Sequence, residues 1–422
     1  MKRKLNYEDD GKTTLAESHI PEVNFDVNSF EPLHFLRCHS KKNDPADVQT
    51  QVWQCAFEPD VDSPGSNTDI LASCGGNSVC FIDSITGNVI SKFYPEKPNI
   101  LLYALAWTTI RPGGGRRCNI LAVGGTGSSN YGAITAWDIS DCHPWSNDIK
   151  LKPVITLSAH SEVFSLSISK NLNILLAGCS SGLYGWCLED INWNEPNSNK
   201  NRLLSCIEFE LPETDDNAHV NNVRDSEEES LVDSVVCIPG SSLVALKVAL
   251  RGVIYIWDLQ NTIEEEDTNS KVKLGFKGAK LKINPVKYLK WSDTDDYFMS
   301  MGCSPDGRFL ACGDDEGAIW LYNLSTEEQE QKAKKQKMDV TDELVKQPSQ
   351  RLLWPENLED EEVRNARKVK CLEGHGGVID QVALGIGQNG SLHLAAVTST
   401  NLVCIWRAVS EGNFQDSQYF ID

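Results

Sequence analysis

The residues best equipped for chemistry in this 422-residue chain are its thiols, its histidines, one glycine-rich segment and one run of carboxylates. The fourteen cysteines form no CxxC pair, and most sit in apolar runs, as Cys55, Cys80, Cys179 and Cys237 do. In such a run a cysteine acts as a small core residue. The eight histidines do not cluster with cysteines at zinc-ligand spacing. The nearest metal candidate is the group His34, Cys38 and His39, which strand packing explains more simply, so neither a metal nor a cofactor is expected. The segment GGTGSSN (124–130) lacks the Lys-Ser/Thr of a phosphate loop and the helix that would follow it, so it reads as a hairpin turn. Asp314, Asp315 and Glu316 stand side by side, but within a turn. No GxSxG, HExxH or kinase signature occurs. With no nucleophile–base set, the chain is expected not to be an enzyme.

The formal net charge of −21 repels nucleic-acid phosphates, so no direct or sequence-specific nucleic-acid binding is expected. The same charge attracts basic partners, histone tails among them. The N-terminal MKRKLNYEDDGK has no apolar core of a signal peptide. No run of about 18 apolar residues occurs, so no membrane partner is expected. Free thiols without a secretory signal suit a reducing compartment. The basic runs Lys2-Arg3-Lys4 and Lys334-Lys335-Gln336-Lys337 have the character of nuclear-import signals.

One unit recurs along the chain: an apolar strand, a turn, an apolar strand ending in small residues, a Gly/Asp/Asn turn, then a strand ending in an aromatic plus Asp. It is seen in ILASCGGNSVCFID (70–83), ILAVGGTGSSNYGAITAWD (120–138), ILLAGCSSGLYGWC (174–187), LVALKVALRGVIYIWD (243–258), FLACGDDEGAIWLYN (309–323) and HLAAVTSTNLVCIW (393–406). Trp137-Asp138 and Trp257-Asp258 are complete WD dipeptides, and Ile82-Asp83, Trp186-Cys187, Tyr322-Asn323 and Trp406-Arg407 are degenerate ones. Short alternating runs between Gly/Asn/Asp turns form antiparallel meanders. A four-stranded meander cannot bury both its faces alone, whereas radial stacking buries them and leaves short edges. The expected fold is therefore all-β, a WD-repeat β-propeller with six recognisable blades. Ala159-His160 and Gly374-His375 precede two repeats at the place of the repeat's Gly-His, and both are read as structural.

The propeller is expected over residues 30–408, between a disordered tail at 1–29 and a C-terminal tail at 409–422. Charged insertions at 189–230, 261–282 and 325–370 lengthen the later spacings and read as solvated loops. FEPLHFLRC (30–38) stands alone before the first repeat, and the ring closes if this strand becomes the outer strand of the last blade.

FEPLHFLRCHSKKNDPADVQTQVWQCAFEP (30–59), LKWSDTDDYFMSMGCSPDGRFLACGDDEGAIWLYNL (289–324) and RLLWPENL (351–358) resemble the WD-repeat region of the leucine-rich repeat and WD repeat-containing family associated with the origin recognition complex. A more distant resemblance is to the embryonic ectoderm development (Polycomb) WD propellers. The resemblance implies a nuclear, chromatin-associated scaffold that reads trimethylated lysine on histone tails, with origin recognition complex subunits as further partners. The alternative is a generic WD-repeat adaptor without a methyl-lysine cage. No leucine-rich-repeat region precedes residue 30. The family also has a seventh blade, and no repeat for it stands between Trp137-Asp138 and Ala159-His160, so either the propeller has six blades or the sequence is a shortened form.

A trimethylammonium group donates no hydrogen bonds, so its recognition rests on cation–π attraction and desolvation between aromatic faces. The resemblance to the Polycomb propeller carries its cage onto Trp53, four residues before Phe57, onto Tyr103, four before Trp107, and onto Tyr297-Phe298 within WSDTDDYFM (291–299). Alignment on the SPDG turn (304–307) moves the third match to Met299 and Ser300. Trp107, Trp137, Trp257 and Trp406 are assigned to the core.

Overall fold

Apolar runs that alternate with turn residues zip into antiparallel hairpins, and the chain does this six times. In the computed structural model the described residues are 30–40, 50–95, 100–112, 115–127, 131–139, 151, 153–189, 191, 193, 204, 206–213, 230–269, 280–325, 345–353, 378–387, 390–398 and 401–408. They form six sheets, each built on a four-stranded antiparallel meander, and two of them carry a fifth strand added in parallel at the edge. Blade 1 is Val52–Pro59, Asn67–Gly75, Ser78–Asp83 and Val89–Phe93, and blade 2 is Leu102–Ile110, Cys118–Thr126, Gly132–Asp138 and Pro153–Ala159. Blade 3 is Val163–Ser169, Ile174–Cys179, Gly182–Cys187 and Cys206–Glu210. Blade 4 is Val232–Cys237, Leu243–Val248, Val253–Asp258 and Pro285–Lys290. Blade 5 is Met301–Cys303, Phe309–Gly313, Ala318–Asn323 and Gln350–Leu353. Blade 6 is Ile379–Ile386, Leu392–Thr398 and Leu402–Ala408, completed by Phe30–Leu36. The lone strand thus pairs antiparallel with Leu402–Ala408, Phe30 opposite Ala408 and Leu36 opposite Val403.

The core is divided into six clusters, one between every neighbouring pair of blades. Blades 1 and 2 share Phe81, Leu105 and Trp137, blades 2 and 3 share Ile134, Val163 and Trp186, and blades 3 and 4 share Phe209, Val232 and Trp257. Blades 4 and 5 share Ile256, Trp291 and Tyr322, blades 5 and 6 share Phe309, Val382 and Trp406, and blades 6 and 1 share Val397, Val52 and Ile82. Each fully buried aliphatic or aromatic side chain contributes about 1.5–3 kcal/mol relative to its exposed state. Because blade 6 packs on blade 1 as blade 1 packs on blade 2, the ring closes with six blades, and the seventh that the family resemblance implies has no place in it. Of the tryptophans assigned to the core, Trp137, Trp257 and Trp406 are buried. Trp107 is half-buried against the core and donates from Nε1 to the Ala56 carbonyl at 3.2 Å. His160, in the connection between blades 2 and 3, stacks on Tyr184 of blade 3 at 4.8 Å. Gly374-His375, both basic runs and the two tails lie outside the described residues.

The charged insertions are only partly loops. The first contains Cys206–Glu210, the outer strand of blade 3, and the third contains Gln350–Leu353, the outer strand of blade 5. The second contains most of a helix, Leu259–Asn269, and the strand Lys280–Lys282. Lys280–Lys282 pairs parallel with Cys206–Glu210, and Val345–Lys346 pairs parallel with Pro285–Lys290. Each of these segments, leaving its own blade, lies along the outer edge of the blade before it. There it covers backbone groups that would otherwise template foreign strands. The outer strands are half-wet, as the alternating burial of Cys206–Glu210 shows, so they tolerate polar residues and are hard to separate from the loops around them.

Candidate functional site

The inner strands of five blades begin with the same irregularity. Pairing skips from Val52 to Gln54, Leu102 to Ala104, Val163 to Ser165, Val232 to Ser234 and Ile379 to Gln381. A β-bulge leaves one residue out of the ladder and re-aims its side chain. The residues so released are Trp53, Tyr103, Phe164, Asp233 and Asp380. Three consecutive blades therefore supply an aromatic ring at the same structural position, and blades 4 and 6 supply a carboxylate.

The rings meet at one mouth of the central channel. Trp53 and Tyr103 are 5.2 Å apart between centroids and edge-to-face, and Tyr103 and Phe164 are 5.4 Å apart. Phe164 and Phe298 are 4.5 Å apart, and Phe298 returns to Trp53 at 5.7 Å. The circuit draws on blades 1, 2 and 3 and on the segment leading into blade 5. Of the four residues carried over by resemblance, Trp53, Tyr103 and Phe298 lie in the circuit itself. Tyr297 stands outside it, edge-to-face on Phe298 at 4.5 Å. Phe164 is a member that sequence reasoning missed, and its position in VFSLSIS, laid on VWQCAF and LYALAW, was the available signal. Met299, the match under the other alignment, is fully buried among the residues of blades 4 and 5, and Ser300 is buried as well.

Phe298 has φ +72°, a left-handed conformation that a bulky side chain adopts only when its surroundings impose it. The restraint lies directly beneath. Asp233 and Lys247 form an ion pair whose side chains are 0% and 1% exposed. The Phe298 backbone N–H lies close enough to the Asp233 carboxylate to favour its charged form. The Lys247 ammonium sits 4.2 Å from the Trp291 ring centroid, a cation–π contact in a dry site. Burial pushes the Asp233 carboxyl up, and Lys247 and the hydrogen bonds partly offset it.

A polar belt joins the blades below the rings. Gln54 Oε1 accepts from the Leu105 N–H at 2.9 Å, while Nε2 donates to Ser300 Oγ at 2.9 Å and to the Phe164 carbonyl at 3.3 Å. Ser300 Oγ donates to the Asp233 carbonyl at 3.0 Å. Ser165 Oγ accepts from the Val235 N–H at 3.0 Å, Ser234 Oγ from the Met301 N–H at 2.9 Å and Gln381 Oε1 from the Cys55 N–H at 2.9 Å. Side chains of one inner strand thus satisfy backbone donors of the next, which fixes where each bulge residue points. Below the belt the channel widens into a cavity of about 340 Å³ lined by Ser165, Ser167, Asn171 and Ser241.

The mouth is acidic. Glu162 adjoins Tyr103, whose hydroxyl is pushed up by burial and by that carboxylate. Asp295 and Asp296 are exposed beside Phe298, and burial pushes the nearby Asp315 carboxyl up. Asp314 is buried and accepts from Trp320 Nε1 at 2.8 Å and from backbone N–H groups of its own turn, which marks it as structural. An arrangement of aromatic faces in an acidic rim attracts cations. The sequence grouping of His34 with Cys38 and His39 does not survive folding. His34 faces the surface, with Nε2 2.8 Å from the Ile85 carbonyl, while Cys38 and His39 are buried.

The chain matches the family described as leucine-rich repeat and WD repeat-containing protein 1, WD domain, over residues 25–131 and 126–409. The two matched stretches meet in the hairpin between the second and third strands of blade 2. The Xenopus laevis leucine-rich repeat and WD repeat-containing protein 1 is 28% identical over an alignment covering 90% of this chain and 53% of the relative. The Danio rerio protein of that name is 29% identical over 94% of this chain and 52% of the relative. The human one is 26% identical over 89% and 57%. The chain spans about half the length of these relatives.

Proposed function

Because the chain belongs to the WD-domain family of leucine-rich repeat and WD repeat-containing protein 1, a family of WD-repeat scaffolds, we propose that it is a non-enzymatic, nuclear chromatin scaffold whose channel mouth reads trimethyl-lysine on histone tails. The observation that carries this reading is the convergence of Trp53, Tyr103, Phe164 and Phe298 within an acidic rim. Centroid spacings of 4.5–5.7 Å let one ammonium lie within the about 6 Å over which each ring attracts a cation. The rings also touch one another, so the methylammonium enters by displacing one of them. Phe298 is the one to move, by rotation of its side chain on the held backbone, since it precedes a short strand whereas the other three lie within longer ones. The carboxylates of Glu162, Asp295 and Asp296 then attract the basic residues that flank a histone lysine. In this role the propeller stabilises origin recognition complex subunits on chromatin.

The test is a titration of the purified chain with unmodified and trimethylated histone-tail peptides at two salt concentrations. Methyl-dependent binding that persists at the higher salt supports the reading. Trp53→Ala and Tyr103→Ala should each weaken it by about 1–2 kcal/mol, roughly 5- to 30-fold. Unchanged affinity in both variants would refute it. The second reading is a WD adaptor whose rings form a permanent plug, favoured by their edge-to-face packing. It predicts binding that ignores methylation and collapses with salt.

A further inference from the structure

The seam where the ring closes holds a buried set of soft donors, remote from the channel mouth. After the Phe30–Leu36 strand, the turn at 37–40 carries Cys38 and His39 inward, and the third strand of blade 1 presents Cys80 to them. All three side chains are buried, and one donor atom from each lies within 4.8 Å of the other two. Cys80 Sγ is 3.8 Å from His39 Nδ1. Tetrahedral zinc, with bonds of about 2.3 Å to sulfur and about 2.0 Å to nitrogen, spaces such ligands roughly 3.5 Å apart. His39 Nε2 lies 2.9 Å from Ser73 Oγ. With the imidazole proton on Nε2 and donated to Ser73, the Nδ1 lone pair faces the sulfurs. That outer hydrogen bond is the one metal-binding histidines use to fix tautomer and orientation. Ser78 Oγ, 3.0 Å from Nδ1, is the nearest hydroxyl for a fourth position.

We propose that Cys38, His39 and Cys80 form a structural zinc site that clamps the closing strand of blade 6 to blade 1. The charge balance selects the ion. Two thiolates and a neutral imidazole cancel a divalent cation, so the filled site carries no net charge into the core, where an unbalanced one is costly. Both thiols lose their protons to solvent on binding. Thiolate and imidazole donors select zinc or copper(I) over magnesium and calcium. Cys38 and Cys80 lie on the two blades that the closing strand must hold together, so a shared ion resists separation there directly.

The experiment measures the metal content of the full chain, purified without chelator, by elemental mass spectrometry. One zinc per chain is expected in the wild type and less than a tenth of that in the C38S/C80S variant. A strong chelator should lower the melting temperature of the wild type and leave that of the variant unchanged. If the variant does not fold, cobalt(II) exchanged into the wild type decides. A thiolate-to-cobalt charge-transfer band in the near ultraviolet supports the site, and its absence overturns it. Copper in place of zinc overturns the zinc assignment. Loss of zinc with no change in melting temperature overturns the clamp.

Discussion

Replacing Lys247 with methionine isolates the ion pair beneath Phe298. Methionine keeps most of the lysine volume and its contact with Trp291, so little packing is lost. What remains is a fully buried Asp233 carboxylate without its counter-charge. Breaking a buried pair from one side costs about 3–5 kcal/mol. The penalty has a pH signature. Burial already raises the Asp233 carboxyl above its ordinary value, and removal of the ammonium raises it further. A carboxyl whose folded value exceeds its unfolded one binds its proton more readily in the folded state, so stability falls as pH rises between the two values. The Lys247→Met penalty should therefore be largest near pH 7. Below the new folded value it should shrink by about 1.4 kcal/mol per pH unit until the wild-type folded value is reached, below which both proteins gain stability alike. Urea unfolding of wild type and variant at pH 7.5 and pH 5 measures this. The double variant D233N/K247M, with no charge to bury, should recover most of the loss. A penalty below about 1 kcal/mol, or one equal at both pH values, would refute the reasoning.

Three further outcomes are expected. Phe164→Ala should weaken trimethyl-lysine peptide binding by about 1–2 kcal/mol in the same titration, because it removes one wall of the circuit. Gly302→Ala should destabilise the fold by more than about 3 kcal/mol in urea, since its Cβ would sit 2.0 Å from the Val382 carbonyl oxygen, where blade 5 abuts blade 6. Deleting residues 1–36 should make the chain aggregate at concentrations where the full chain stays dispersed, measured by light scattering, because it bares the Leu402–Ala408 edge.

Much of the propeller was legible because each repeat ends its third strand on an aromatic-Asp pair or a worn version of one, and those pairs close the strands at Asp83, Asp138, Cys187, Asp258 and Asn323. The outer strands were not. CIEFE and KLK offer little apolar contrast with the charged segments around them, and partners from other parts of the chain place them. At the channel mouth, Trp53 and Tyr103 were legible through the resemblance to the Polycomb propeller, each standing four residues before another aromatic. Phe164 precedes Ile168, so its equivalence rests on laying VFSLSIS on the other two inner strands, and the common bulge bears that alignment out. The Asp233–Lys247 pair did leave a mark, a charged residue inside each of two apolar strands, LVDSVVC and LVALKVAL. Cys80 left none, since its approach to Cys38 and His39 depends on which blade receives the first strand.

That strand also sets a clock. Glu31 and Arg407 join across 376 residues of chain, so during synthesis the Phe30–Leu36 segment emerges long before its partner exists. At about 5–20 residues per second the interval is roughly 20–75 s. Over that time the earlier blades can form in order, each against its predecessor, while an apolar strand waits unpaired. The ring is then sealed in a single late step by the residues of the propeller that were made first. Loss of that waiting strand to another nascent chain therefore competes with native closure, and the competition sharpens wherever ribosomes stand close together on one message.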